Sequence, residues 1–131
     1  METAASTAPF ALSTIGQIAL TVTDVDRALA FYRDTLGMRL LFQVPNMAFF
    51  DCGGVRLMLT GGESAGNGQT FAVYFKVPDI QQAFQTMSAR GVKFERDPHL
   101  LARMPDHDLW MAFFRDVSGN LLALMCELQR A

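Results

Sequence analysis

A four-residue apolar string occurs twice in this 131-residue chain, as Met47-Ala48-Phe49-Phe50 and as Met111-Ala112-Phe113-Phe114. Each copy leads through a turn into a second apolar run. Gly54-Val55-Arg56-Leu57-Met58-Leu59 parallels Gly119-Asn120-Leu121-Leu122-Ala123-Leu124. The joint of the later copy, Asp116-Val117-Ser118-Gly119-Asn120, holds turn formers, with Gly119 able to take a positive φ without a Cβ clash. A repeated hairpin implies a repeated module. The chain therefore has to be read as two copies of one unit.

In the first copy, Ile15–Val22 alternates, with Gln17, Ala19 and Thr21 facing one way and Ile18, Leu20 and Val22 the other. Asp24 is a helix N-cap candidate, Val25–Leu36 has helical spacing, and Gly37 is its stop. Strands are expected at Arg39–Val44, Met47–Asp51 and Val55–Thr60. In the second copy Ala72–Asp79 matches Gln17–Asp24, and a helix over Ile80–Arg90 stops at Gly91. Strands follow at Val92–Pro98, Leu109–Arg115 and Leu121–Leu128. Each half reads β-α-β-β-β, which places the chain in the α+β class. Neither half could bury its sheet alone, so the two must share a core. The expected order is a tail over 1–14, a module over 15–60, a linker over 61–69 in the Gly-rich run Gly61–Thr70, and a module over 70–128.

Composition removes several function classes. The net charge is −2 with no run of Lys or Arg, which argues against nucleic acid or an anionic membrane surface as partner. No apolar stretch reaches the roughly 18 residues of a membrane helix. The first 14 residues lack the basic start and apolar centre of a signal peptide, so a cytoplasmic location is expected. Cys52 and Cys126 lack metal-site spacing and read as buried small apolar residues. Eleven Phe and eight Met fit an abundant core, an apolar cavity, or both.

Two strings carry a family resemblance. Val-x-Asp-Val-Asp-x-Ala-x-x-Phe-Tyr-x-x-x-Leu-Gly from Val22 to Gly37, with Phe-Phe-Arg-Asp-x-x-Gly-Asn from Phe113 to Asn120, resembles the vicinal oxygen chelate superfamily. Glyoxalase I, extradiol dioxygenases and bleomycin resistance proteins belong to it. The resemblance covers about residues 15–128. It implies paired βαβββ modules forming an eight-stranded cupped sheet with helices outside, and usually a homodimer. It does not choose the chemistry, because the fold hosts several. In metal-using members four ligands face the cup, and the matching positions here are Gln17, Met58, Ala72 and Ala123. One amide and one thioether do not make a divalent site. No cofactor is therefore expected, a divalent metal being the alternative.

Strand alternation puts Gln17, Ala19, Thr21, Arg56, Met58 and Thr60 on the cup side of the first module. From the second it puts Ala72, Tyr74, Lys76, Leu121, Ala123 and Met125 there. The two Ala leave volume for a partly apolar ligand, unless the face is closed core. Arg56 and Lys76 can receive an anionic group together or snorkel to the rim. Asp97-Pro98-His99 and Pro105-Asp106-His107-Asp108 read as a loop at the mouth, with Trp110 closing it. His99 and His107 are candidate acid–base groups, or solvated loop charges. The leading expectation is a small-molecule-binding protein of the bleomycin-resistance type. The alternative is a glyoxalase- or dioxygenase-like lyase or isomerase using a metal or the two His. A homodimer is expected through the strands Met47–Asp51 and Met111–Arg115, taken as apolar edges.

Overall fold

The computed structural model describes residues 10, 12–63 and 72–129, so most of the expected tail and linker lies outside the described residues. The first module contains β1 (Gln17–Val22), α1 (Val25–Ala30), β2 (Arg39–Val44), β3 (Met47–Cys52) and β4 (Val55–Gly61). The second contains β5 (Val73–Lys76), α2 (Ile80–Ala89), β6 (His99–Arg103), β7 (His107–Arg115) and β8 (Leu121–Gln129). Each module makes a mixed four-stranded sheet, ordered β1-β4-β3-β2 and β5-β8-β7-β6.

The duplication extends to single residues. Ala19 lies opposite Met58 in β1/β4, and Tyr74 lies opposite Ala123 in β5/β8. Phe49 pairs with Met58, and Phe113 with Ala123. Both helices start on an aspartate with nearly identical backbone, φ −139° at Asp24 and −140° at Asp79. Each carboxylate accepts from the amide three residues on, Arg27 at 3.1 Å and Gln82 at 3.0 Å. Even the edge strands repeat a defect, a bulge at Leu41 in β2 and at Leu101 in β6. Gly53 and Gly54, at φ 62° and 91°, make the two-residue β3–β4 turn that right-handed strand twist prefers.

One apolar core serves both modules, as the sequence predicts. It runs from Leu20, Val22, Ala28, Leu29 and Tyr32 through Phe50 and Leu59 to Ile80, Phe114, Leu122, Leu124 and Cys126. The expected helix over Val25–Leu36 changes character midway. Phe31–Thr35 form a π-helical turn, with the Leu36 amide donating to the Phe31 carbonyl at 3.0 Å. Thirteen residues run from Val25 to Gly37 but twelve from Ile80 to Gly91, and the wide turn absorbs the extra one.

Two expectations fail. Val92–Pro98 is not a strand; its one ladder contact is an isolated bridge from Phe94 to Phe114. The strand is His99–Arg103, and the supposed loop is the β6–β7 hairpin. The two prolines misled because each sits outside the ladder, Pro98 just before β6 and Pro105 in the turn, where a missing N–H costs nothing. The second failure concerns edges. β3 and β7 each pair on both sides, so the edges are β1 and β2 in the first sheet and β5 and β6 in the second.

Candidate functional site

Residues on the faces turned away from the helices fall where alternation puts them, but the modules use them differently. In the first, the Gln17 amide donates to the Met58 sulfur at 3.7 Å, so two of the four family-equivalent positions touch. Phe49 leans outward and stacks on Phe42 of β2, centroids 4.4 Å apart. The Arg56 guanidinium lies over the Phe49 ring at 5.7 Å, and Arg56 remains exposed. Ala19, beside Met58, is exposed as well. This leaves an exposed face that carries an amide, a thioether, an aromatic ring and a cation.

The second module closes the same place. Tyr74 and Phe113 flank Ala123 from the strands on either side. Strands two apart stand nearly 10 Å from each other, yet the two ring centroids are 6.1 Å apart, edge to face. The rings therefore lean together over Ala123, which is 0% exposed. The free volume expected at Ala123 is taken up by this aromatic pair. Ala72 lies just before β5 and is half-buried, while Leu121 and Met125 lie on the same face of β8 as Ala123.

The charged groups of this face form a chain. Lys76 Nζ is 3.1 Å from Glu127 Oε1, and His107 Nε2 is 3.9 Å from Glu127 Oε2. His107 Nδ1 stands 2.7 Å from Asp106 Oδ1. Lys76 thus already has a carboxylate partner, which leaves Arg56 as the stronger anion receiver of the two. Glu127 was missed in the sequence reading; its place two residues beyond Met125 on one strand face was the available signal. His99 differs from His107. Its Nδ1 lies 3.1 Å from Arg96 Nε and 3.3 Å from the Asp97 carbonyl oxygen, a cation and a neutral group where His107 has carboxylates. The two His start different strands of one hairpin.

Trp110 does not close a mouth. It lies opposite Cys126 in the β7/β8 ladder and packs against the core, on the face shared with Ala112 and Phe114. Trp110 alternates in step with Ala112 and Phe114, and that face is the one turned to the core. The Cys52 thiol borders a seam cleft of about 400 Å³ with Ile15, Ile18 and Tyr74. Burial, and then the neighbouring Asp51 carboxylate, push that thiol up, so it stays protonated and a poor nucleophile.

The family metal can be tested against this donor set. Gln17, Met58, Ala72 and Ala123 supply one amide and one thioether, and the amide nitrogen is turned to the sulfur. Zinc, nickel or iron(II) needs imidazole, carboxylate or thiolate donors, and these side chains do not fit it. Among the described residues, no three His, Cys, Asp or Glu are grouped so as to hold a metal ion. No helix among them is long and apolar enough to cross a membrane.

Comparison with known proteins agrees with the geometry. The family model of the Glyoxalase/Bleomycin resistance protein/Dioxygenase superfamily matches residues 14–124. The uncharacterized protein YraH of Bacillus subtilis is 30% identical over 126 residues, covering 82% of this chain and 94% of the relative. Among solved structures, lactoylglutathione lyase from Agrobacterium tumefaciens superposes with a TM-score of 0.70 at 25% identity, over 88% of this chain and 94% of that one. A glyoxalase/bleomycin resistance protein/dioxygenase from Nocardioides gives 0.72 at 24% identity, over 94% and 89%.

Proposed function

The chain belongs to the glyoxalase/bleomycin resistance protein/dioxygenase superfamily, and from that premise we propose that it binds a small, partly apolar molecule without a divalent metal at the family's usual position. The observation that carries this reading is the replacement of the metal-holding set by Gln17, Met58, Ala72 and Ala123, with Gln17 and Met58 in contact. An ion there would lack the anionic or imidazole donors that hold it. The same residues suit a ligand. Met58 is an adaptable wall, Phe49 an aromatic face, and Arg56 a cation for a carboxylate or phosphate. Sequestration in the cytoplasm, with the ligand left chemically unchanged, completes the reading.

Elemental analysis of the purified protein tests the first half. The expected result is no stoichiometric metal and an unfolding temperature unmoved by a chelator. About one nickel, zinc, manganese or iron per chain, lost on chelation with loss of stability, would overturn it. The second half is tested by titrating a panel of aryl and branched carboxylates. Arg56→Gln should weaken the best of them by roughly 1.5–3 kcal/mol, the range of a charge-assisted hydrogen bond. An unchanged affinity moves the ligand off this face.

A dimer belongs to the same proposal, with its contact on the edge strands β2 and β6. β2 exposes Leu41, Phe42 and Val44, and β6 exposes Leu100 and Leu101. Unpaired edges of that composition favour a partner. Light scattering at low micromolar concentration should give twice the chain mass; monomer mass alone would remove the dimer.

One observation favours a second reading, a lyase or isomerase. His107 lies between the Asp106 and Glu127 carboxylates, an arrangement that can hold and move a proton. Lactoylglutathione lyase activity in the purified protein, lowered at least tenfold by His107→Gln, would replace sequestration with this reading.

A further inference from the structure

The duplicated modules also differ on the helix side of the sheets. Eight residues beyond each capping aspartate the first copy has Tyr32 and the second has Met87. Tyr32 is fully buried and fills the space beneath the end of its helix. Met87 is only half-buried, and α2 has one fully buried residue, Ile80, where α1 has Val25, Ala28 and Leu29. The consequence is a cleft of about 360 Å³ beside α2. Phe75, Phe114 and Leu124 line it from the sheet, with Met87 contributed by α2 and Met38 by the first module. Its place is filled in one copy of the module and open in the other.

At one end of this cleft stands Arg90, whose Nη1 donates to the Thr35 carbonyl at 3.0 Å. That bond ties the ends of the two helical segments together and holds the guanidinium at the cleft. A guanidinium has five donors and this bond uses one of them, so a planar acceptor can still be received. The cation also sits where the carbonyl end of α2 favours positive charge. Among the described residues the one carboxylate in the lining, Asp79, caps the opposite end of α2, about 16 Å away at 1.5 Å per residue.

We propose that this cleft is a second small-molecule site, distinct from the concave faces, and that it takes a carboxylate on an apolar body. The apolar part replaces the ring that Tyr32 supplies in the first module, and the carboxylate pairs with Arg90. The volume lies at the low end of the roughly 300–1,000 Å³ used for small ligands. The two methionines let the walls adjust to a chain or a flat ring. The proposal does not depend on what the concave face binds.

Methionine methyl groups report on both places at once, which makes the test direct. Octanoate is titrated into the full chain labelled at its methionine methyls, followed by NMR, with octan-1-ol as the uncharged control. Met38 and Met87 should shift saturably, whether or not Met58 and Met125 of the other face shift as well. Arg90→Gln should weaken octanoate at least fivefold and leave octanol unchanged. Met87→Tyr, which copies the first module, should abolish both; Ala83→Leu does the same from a neighbouring turn if that variant does not fold. Saturable shifts confined to Met58 and Met125, or none at Met38 and Met87, would overturn the site. Equal losses of octanoate and octanol in Arg90→Gln would overturn its preference for an anion.

Discussion

Asp116→Ala should lower the stability of the fold by about 3–5 kcal/mol, the scale seen when one side of a buried charged network is removed. Asp116 is 6% exposed and its carboxylate accepts four hydrogen bonds. Oδ1 takes the Ser118 amide at 2.9 Å and the Asn120 amide at 2.8 Å. Oδ2 takes the Tyr32 hydroxyl at 2.8 Å and the Asn120 side-chain amide at 3.0 Å. Truncation leaves these buried donors without an acceptor, and each such group costs about 1–3 kcal/mol. The loss also parts the modules. Tyr32 belongs to the first and Asp116 to the second, while Asn120 also caps the Thr21 carbonyl of β1 at 2.8 Å. Against a typical total of 5–15 kcal/mol, chemical denaturation should show a large fall in midpoint. A loss below about 1 kcal/mol would mean that the network does not hold the modules together.

The same network gives a signed pH dependence. Tyr32 is held well above the ordinary tyrosine range, first by burial and then by the neighbouring Asp116 carboxylate, whose charge and hydrogen bond both disfavour tyrosinate. A folded value raised above the unfolded one means stability that is fully present below about pH 10 and lost as pH rises further. Tyr32→Phe should cost roughly 1.5–3 kcal/mol at pH 7, the worth of a hydrogen bond to a charged group. It should also flatten the decline in stability above pH 10. Denaturation curves at pH 7, 9 and 10.5 for both proteins separate the two effects, and a parallel decline in both would assign the alkaline loss elsewhere.

These residues explain what the sequence strings encode. Phe31-Tyr32 and Asp116 to Asn120 are the two ends of the clasp between modules, which is why two distant strings together marked the fold. The internal repeat was legible to the residue because both copies keep one ladder register, and a slip by one position would turn every core side chain outward. The second β strand of the later module was not legible. His99–Arg103 is short, and the prolines on either side resemble loop punctuation until the ladder shows that neither occupies a bonded position. Trp110 was misplaced although the expected strand Leu109–Arg115 covered it, because it was assigned to the mouth of the cup and not to the face it shares with Ala112 and Phe114. The cleft beside α2 left only a faint trace, a Met at the position where the first copy has Tyr. Occupied volume was also hidden, because alternation says which face a side chain takes and not whether its neighbours lean over it.

Ala19, which lies opposite Met58, and Ala123, the counterpart of Met58 in the second module, turn that last point into a measurement. Ala19 and Tyr74 hold the same place in their modules, each opposite the residue one would read as a metal position, Met58 or Ala123. In the second module the ring of Tyr74 meets Phe113 above Ala123, so Ala123→Phe adds a ring where two already meet. Overpacking of that kind typically costs 1–3 kcal/mol, and here about 3 kcal/mol is expected because the site is fully buried beneath both rings. Ala19 is exposed beside Gln17 and Met58, so Ala19→Phe adds its ring to open space. It should leave stability within about 0.5 kcal/mol, while abolishing the binding of any carboxylate that Arg56→Gln weakens. Thermal unfolding of both variants, with titration of Ala19→Phe, reads the two effects separately. If Ala123→Phe instead folds with native stability and blocks the ligand, the aromatic pair is a movable cover and the second module shares the site. If Ala19→Phe binds as the unaltered protein does, the open face of the first module is not where the ligand sits.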